Sequence, residues 1–307
     1  MKTRDQQRET FALSGIDDRF LQAIYRYHML KPEQLTRRYY SPGSLTFVKA
    51  RLKQLTDHGY LDANEQPTTR GRSPFYYTLA SKGIKYLKEA GFEVNRYYRP
   101  SRKVEYLPFL LHTFSVNDVL VAAELLAESL PQLTLAEMQH ELVLKQDPCR
   151  VPVGRERLSG DGNISTKHIS IVPDGWLDFR YDRGEGTQER RMCIWLEVDR
   201  GTVGMRDFKE KAAAILTFYN SGAYQKRFGT NSLRVAFATT DGMTRVKQMR
   251  IWLRDVLTKQ QEKPGIAERF VCTALPDEID PATLFLTPVW YVPSDNNTPP
   301  VSLLVTE

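Results

Sequence analysis

The sequence predicts an α/β protein in two parts, a small helical module closed by a β-hairpin and a larger module built on a mixed sheet. Three observations carry this. Apolar residues recur at helical spacing from Phe20 to Leu55 and then give way to extended aromatic runs. Strand-like and helix-like segments alternate from Ile169 to Ala274. Charge is divided unevenly: residues 1–105 hold 20 Lys and Arg against 11 Asp and Glu, whereas the remainder holds 23 against 26. A basic module, which also contains 10 of the 15 tyrosines, joined to a near-neutral one is the electrostatic outline of a nucleic-acid-binding domain beside a second domain.

In the N-terminal part, Phe20, Leu21, Ile24, Tyr25 and Met29 lie on one helical face, with Asp17 and Asp18 at the N-cap and first turn of a helix of about 12 residues. Pro32 opens a second helix to Arg38, and Pro42-Gly43 breaks the chain. Ser44 is placed to cap a third helix, whose apolar stripe is Leu45, Val48, Leu52 and Leu55. Its outer face carries Thr46, Ala50, Lys53 and Gln54, with Lys49 and Arg51 on the flanks. Tyr60-Leu61 and Phe75 to Leu79 then form a hairpin whose tip holds Arg70 and Arg72, and Ala80 to Ala90 returns to helix before Gly91. Three helices followed by a basic hairpin make a winged helix-turn-helix, in which the third helix enters the major groove. Lys49, Arg51 and Lys53 are the candidate phosphate or base contacts, and Arg70 and Arg72 the wing contacts. The winged-helix domain is assigned to residues 15–95, followed by a basic linker at 96–111.

The second domain is assigned to residues 112–290. It opens on an apolar helix from His112 to Leu130, followed by a strand near Thr134 to Met138 and an irregular surface loop from about Lys145 to Lys167. Strands are expected over Ile169 to Arg180 and Arg191 to Asp199, a helix over Met205 to Asn220, a strand over Leu233 to Thr239, a helix over Met243 to Gln260 and a strand over Arg269 to Ala274. A polar, Pro-rich tail occupies 291–307. The stretch Cys193 to Thr202 stands out, because Glu197 and Asp199 are two apart on a strand and therefore share a face.

The order helix, strand, strand, strand, helix, strand, helix, strand, with an Asp on the second strand and acids on the third, is the plan of the PD-(D/E)xK nuclease-like fold. Its chemistry uses two carboxylates to hold Mg2+ or Mn2+ against the scissile phosphate, with a lysine orienting the attacking water. Asp174 fits the first carboxylate and Glu197 the second. Asp199 stands where the lysine is usual, so the expected metal set is Asp174, Glu197 and Asp199. Lys209 and Lys211 on the next helix are both available as the missing lysine, and Glu124 is a further acid on the 112–130 helix.

His112-Thr113-Phe114-Ser115-Val116-Asn117-Asp118-Val119, Pro173-Asp174-Gly175-Trp176 and Trp195-Leu196-Glu197-Val198-Asp199-Arg200-Gly201-Thr202, with Lys211 and Tyr219 after them, resemble the replication-relaxation family of plasmid and mobile-element proteins. The resemblance implies double-stranded DNA as partner, a role in plasmid replication, topology or mobilisation, a nuclease-like C-terminal domain, and Lys211 rather than Lys209 as the lysine. Asp at position 199 is then a feature of the family. The reading is a DNA-binding protein whose nuclease-like domain engages and nicks DNA in a metal-dependent way; the alternative is a non-catalytic winged-helix regulator or replication accessory protein.

The three cysteines have no zinc-finger spacing and read as reduced, buried thiols. The chain begins MKTRDQQRET, unlike a signal peptide, and no run approaches the ~18 apolar residues of a membrane span. A cytoplasmic protein without membrane contact is expected, and the 112–130 helix leaves room for a homodimer.

Overall fold

The computed structural model describes residues 11–305 except 69, 70, 72, 96, 98–106, 158–163, 185, 186, 263 and 295–297. It is mixed α/β, and the chain divides into two compact units, Met1–Asn117 and Asp118–Glu307.

In the first unit, α1 (Gly15–Tyr27), α2 (Pro32–Tyr39) and α3 (Leu45–Asp57) precede the antiparallel pair β1 (Leu61–Glu65) and β2 (Phe75–Leu79), and α4 (Ser81–Glu89) follows. The helical stripes read from the sequence form its core: Phe20, Leu21, Ile24, Leu35, Val48, Leu52 and Leu55 are all fully buried. The start of α1 differs from the expectation. Ser14 is the N-cap, and Asp17 lies in the first turn, where its Oδ2 accepts from the Ser14 N–H at 2.6 Å and from Oγ at 2.7 Å. Ser44 precedes α3 without a side-chain cap bond, because Pro42–Ser44 winds as a short 3₁₀ turn that already orders the entry.

A long helix, α5 (Leu107–Ser129), contains the boundary between the units. Its start belongs to the first unit: Leu110 and Phe114 pack with Met29 and Tyr76, and Asn117 Nδ2 donates to the carbonyl of Met29 at 2.7 Å. The division therefore falls at 117/118, and most of the basic segment at 96–111 lies outside the described residues. α5 also qualifies the membrane argument: by length and composition it could cross a bilayer, but 67% of its apolar window is buried within the molecule, as befits a core helix.

In the second unit, β3 (Leu133–His140) and the short helix α6 (Glu141–Leu144) are followed by the ribbon β4 (Cys149–Arg157) and β5 (Ile164–Ile171). Then come β6 (Gly175–Tyr181), β7 (Arg190–Asp199), α7 (Met205–Asn220), α8 (Ala223–Phe228), β8 (Arg234–Thr239), α9 (Gly242–Lys259), α10 (Pro264–Ala267), β9 (Phe270–Ala274) and α11 (Pro281–Leu286). The main sheet has the order β3-β6-β7-β8-β9, antiparallel as far as β7 and parallel from β7 to β9. Each parallel step is bridged by helix, α7 and α8 before β8 and α9 and α10 before β9, as a crossover requires.

Two stretches depart from the sequence reading. The loop expected at 145–167 is largely the β4–β5 ribbon: Cys149, Val151 and Ile171 are buried in the cluster that contains Phe208 and Ala212 of α7. Pro152 and Gly154 flank a register shift in that ribbon. The chain beyond 290 is also packed, since Trp290 pairs with Val301, Tyr291 pairs with Cys272, and Leu303 and Leu304 are buried.

Candidate functional site

Asp174 precedes β6 and is fixed from three directions. Its N–H donates to the Leu196 carbonyl at 3.0 Å, its carbonyl accepts from the Glu141 N–H at 3.0 Å, and Oδ2 accepts from the Val198 N–H at 2.7 Å. The next residue must be small, because a Cβ on Gly175 would meet Leu120 Cδ2 at 3.0 Å. Pro-Asp-Gly is thus the point where α5 crosses the sheet and where a buried carboxylate is held at the end of β6.

Glu197 lies on the neighbouring strand. Its Oε1 accepts from the Trp195 indole N–H at 2.7 Å, and its Oε2 accepts from Lys211 Nζ. Lys211 reaches it because it follows Phe208 by three residues and precedes Ile215 by four, on the stripe of α7 that covers the sheet. Lys209 turns away to Asp255 of α9 at 2.7 Å. The structure thus pairs Lys211, and not Lys209, with Glu197, a distinction that helical spacing alone does not make.

Burial pushes the Glu197 carboxyl up to about 7, and the nearby Asp174 charge adds to the rise, while Lys211 and the indole pull it back. Burial alone would depress Lys211, but Glu197 and Asp174 outweigh it and hold the ammonium above its ordinary value. Glu141 acts on the lysine in the same sense. One ligand atom of Glu141 and one of Asp174 lie within 4.8 Å of each other. Two such carboxylates are hard oxygen donors of the kind that hold Mg2+ or Mn2+. Sequence reasoning missed Glu141, since no motif marks it and only the turn from β3 into α6 brings it to Asp174. Glu124 on α5 is buried.

Asp199 has a different partner. Its Oδ2 accepts from Arg245 Nε of α9 at 2.5 Å, and both side chains are buried. The chain then turns at Gly201, where φ is +76° and a Cβ would lie 2.6 Å from Asp241 Oδ2, so the glycine of the Glu-Val-Asp-Arg-Gly-Thr string is required by geometry. Asp178, a further acid on β6, is clamped by Arg180 at 2.9 Å and Arg191 at 2.8 Å.

In the first unit, Lys49 and Lys53 are exposed on α3, in surface ion pairs with Glu33 at 3.3 Å and Asp57 at 2.5 Å. They line a groove of about 600 Å³ between α2, α3 and the hairpin, together with Pro74, Phe75 and Tyr77. Phe47, which sequence reasoning did not single out, is exposed on the same helix. Arg51 faces inward: Nε donates to Asp17 Oδ1 at 2.6 Å, Nη2 to Oδ2, and Nη1 to Gln54 Oε1 at 2.7 Å. Burial would raise Asp17, but Arg51 and Ser14 overcome it and hold the carboxyl low. Arg70 and Arg72 lie outside the described residues.

Together these features define a two-unit α/β protein with a helix–hairpin unit and a sheet unit that carries a buried carboxylate–lysine cluster at the meeting of β6 and β7. The chain matches the replication-relaxation family over residues 21–233 and belongs to it. Membership points to a role in the replication or relaxation of plasmid or mobile-element DNA. No curated protein and no solved structure matches the chain.

Proposed function

We propose that this is a DNA-binding protein of a plasmid or mobile element, in which the first unit is a winged helix-turn-helix that binds duplex DNA and the second a PD-(D/E)xK-like domain that nicks it with Mg2+ or Mn2+. The observation that carries the reading is the Lys211–Glu197 pair beside Asp174. It supplies from α7 the lysine that position 199 lacks. In this reading Asp174 and Glu141 hold the metal, and Glu197 orients Lys211. Lys211 stays protonated and presents its charge to a phosphoryl oxygen. A bound divalent cation would contribute Lewis-acid stabilisation of the phosphoryl charge and a more acidic bound water. Asp199 serves through Arg245, joining β7 to α9.

For the first unit, the exposed Lys49 and Lys53 support phosphate contact. Their carboxylate partners are exposed as well, so exchange for DNA phosphate costs little.

Incubation of supercoiled, linear and single-stranded DNA with purified protein and Mn2+ or Mg2+ tests the enzymatic half. Nicking that is lost in Asp174→Asn is the expected result. No cleavage of any substrate under either metal would instead favour a non-catalytic regulator or replication accessory, a reading supported by the engagement of both Glu197 oxygens.

A further inference from the structure

At the end of β7 opposite Glu197, the second unit holds a cavity of about 280 Å³ that the nuclease reading does not use. Arg190 and Arg191 from the start of β7, Arg234 from the start of β8 and Arg269 just before β9 line it, and Glu268 is the acid among the lining residues. Like charges gathered in one half-buried wall repel one another, and a negative group bound among them relieves that repulsion.

The fold engages these cations but leaves one Arg269 nitrogen without an acceptor among the described residues. Arg191 is committed to Asp178 and to the carbonyls of Gly229 and Phe228. Arg234 donates from one terminal nitrogen to the Ser302 carbonyl at 3.0 Å. Arg269 donates from Nη1 to the Asn231 and Leu233 carbonyls, while its Nε is buried with no hydrogen-bond acceptor among the described residues. Burial, then Arg269, and also Arg190 depress Arg234 below its ordinary value, with Glu268 opposing them.

We infer that this cavity is a binding site for a phosphate-bearing polyanion, held by Arg190, Arg234 and Arg269. Guanidinium forks match phosphoryl oxygens in geometry and charge, which favours phosphate over a carboxylate ligand of lower charge. The volume is at the small end for ligand pockets and suits a diphosphate or the phosphates of a strand rather than a whole base pair. The same chemistry is offered by free polyphosphates and by a DNA backbone, and the site is separate from the carboxylate cluster.

The test uses the full chain in EDTA, so that the carboxylate cluster holds no metal, with pyrophosphate as probe and chloride controls at equal ionic strength. Calorimetry should show saturable binding, weakened about tenfold in Arg234→Gln and strengthened severalfold in Glu268→Gln, which removes the opposing acid. If Arg234→Gln does not fold by circular dichroism, Glu268→Gln decides alone. Anisotropy of labelled DNA separates the sources. Displacement by pyrophosphate in the wild type, absent in Arg234→Gln, identifies the backbone of DNA; pyrophosphate binding that leaves DNA affinity unchanged identifies a free polyphosphate. No saturable binding, or equal binding by wild type and Glu268→Gln, would overturn the inference.

Discussion

Lys211 Nζ donates to Glu197 Oε2 across the gap between α7 and the end of β7, and Asp174 stands close enough for its charge to raise both groups. The pair joins a lysine and a carboxylate that are separated by 14 positions in the chain.

Removing the lysine leaves a buried carboxylate without its cation. Lys211→Met is expected to destabilise the second unit by about 3 kcal/mol, and Lys211→Met combined with Glu197→Gln by less, because the double variant leaves no lone charge. Urea titrations of the two single variants and the double variant measure the coupling. Additive effects would show that the pair is not energetically linked.

The Asp199–Arg245 pair is expected to be structural. Asp199→Ala strands a buried guanidinium and should cost about 3–5 kcal/mol, while Asp199→Asn, which keeps an acceptor, costs less. Metal affinity of the Asp199→Asn protein should match the wild type, since Arg245 holds Oδ2 and ties the side chain to α9. A loss of metal binding in that variant would return Asp199 to the metal set.

On α3 the three basic residues should separate by role. Arg51→Ala strands Asp17, whose side chain is fully buried, and should lower stability by about 3 kcal/mol. Lys49→Ala with Lys53→Ala should leave stability nearly unchanged, weaken DNA binding and reduce the salt slope of log K by about 1.8. Anisotropy titrations from low to moderate salt, paired with thermal unfolding, check both halves. An unchanged slope in the double variant would remove α3 from the DNA interface.

Acid should destabilise the first unit through His28. The residue ends α1 with φ +63°, its ring stacks on Tyr97, and burial pushes its pKa down to about 4. The folded value lies below the unfolded one of 6.5, so the contribution is complete above pH 6.5 and is lost as pH falls toward 4. The loss amounts to roughly 3 kcal/mol at most. His28→Asn, which tolerates positive φ, should flatten this dependence in urea titrations between pH 4 and 7. An equal slope in variant and wild type would contradict it.

Local pattern carried the elements whose pattern is local. The α3 stripe and the apolar runs of β6 and β7 gave their positions directly, because burial imposes a period along the chain. The β4–β5 ribbon was hidden by a composition rich in Arg, Gly, Asp and Ser, which reads as loop. Within the site, Asp174, Glu197 and Lys211 were named from order and resemblance. Partners that only folding supplies were out of reach: Arg245 lies 46 positions from Asp199, Asp17 lies 34 from Arg51, and Glu141 carries no motif. Alternation placed Asp199 on the face of Glu197, but it could not say that another cation waits there.

Binding of Mn2+ to the wild type and to Asp174→Asn, measured by calorimetry and by the electron paramagnetic resonance of free Mn2+, tests most directly the claim that this cluster is a metal centre. Asparagine keeps an acceptor for the Val198 N–H while removing the charge. The expected result is saturable binding in the wild type, weakened about tenfold or more in the variant. Equal affinity in the two proteins, or no saturable binding in either, would contradict it.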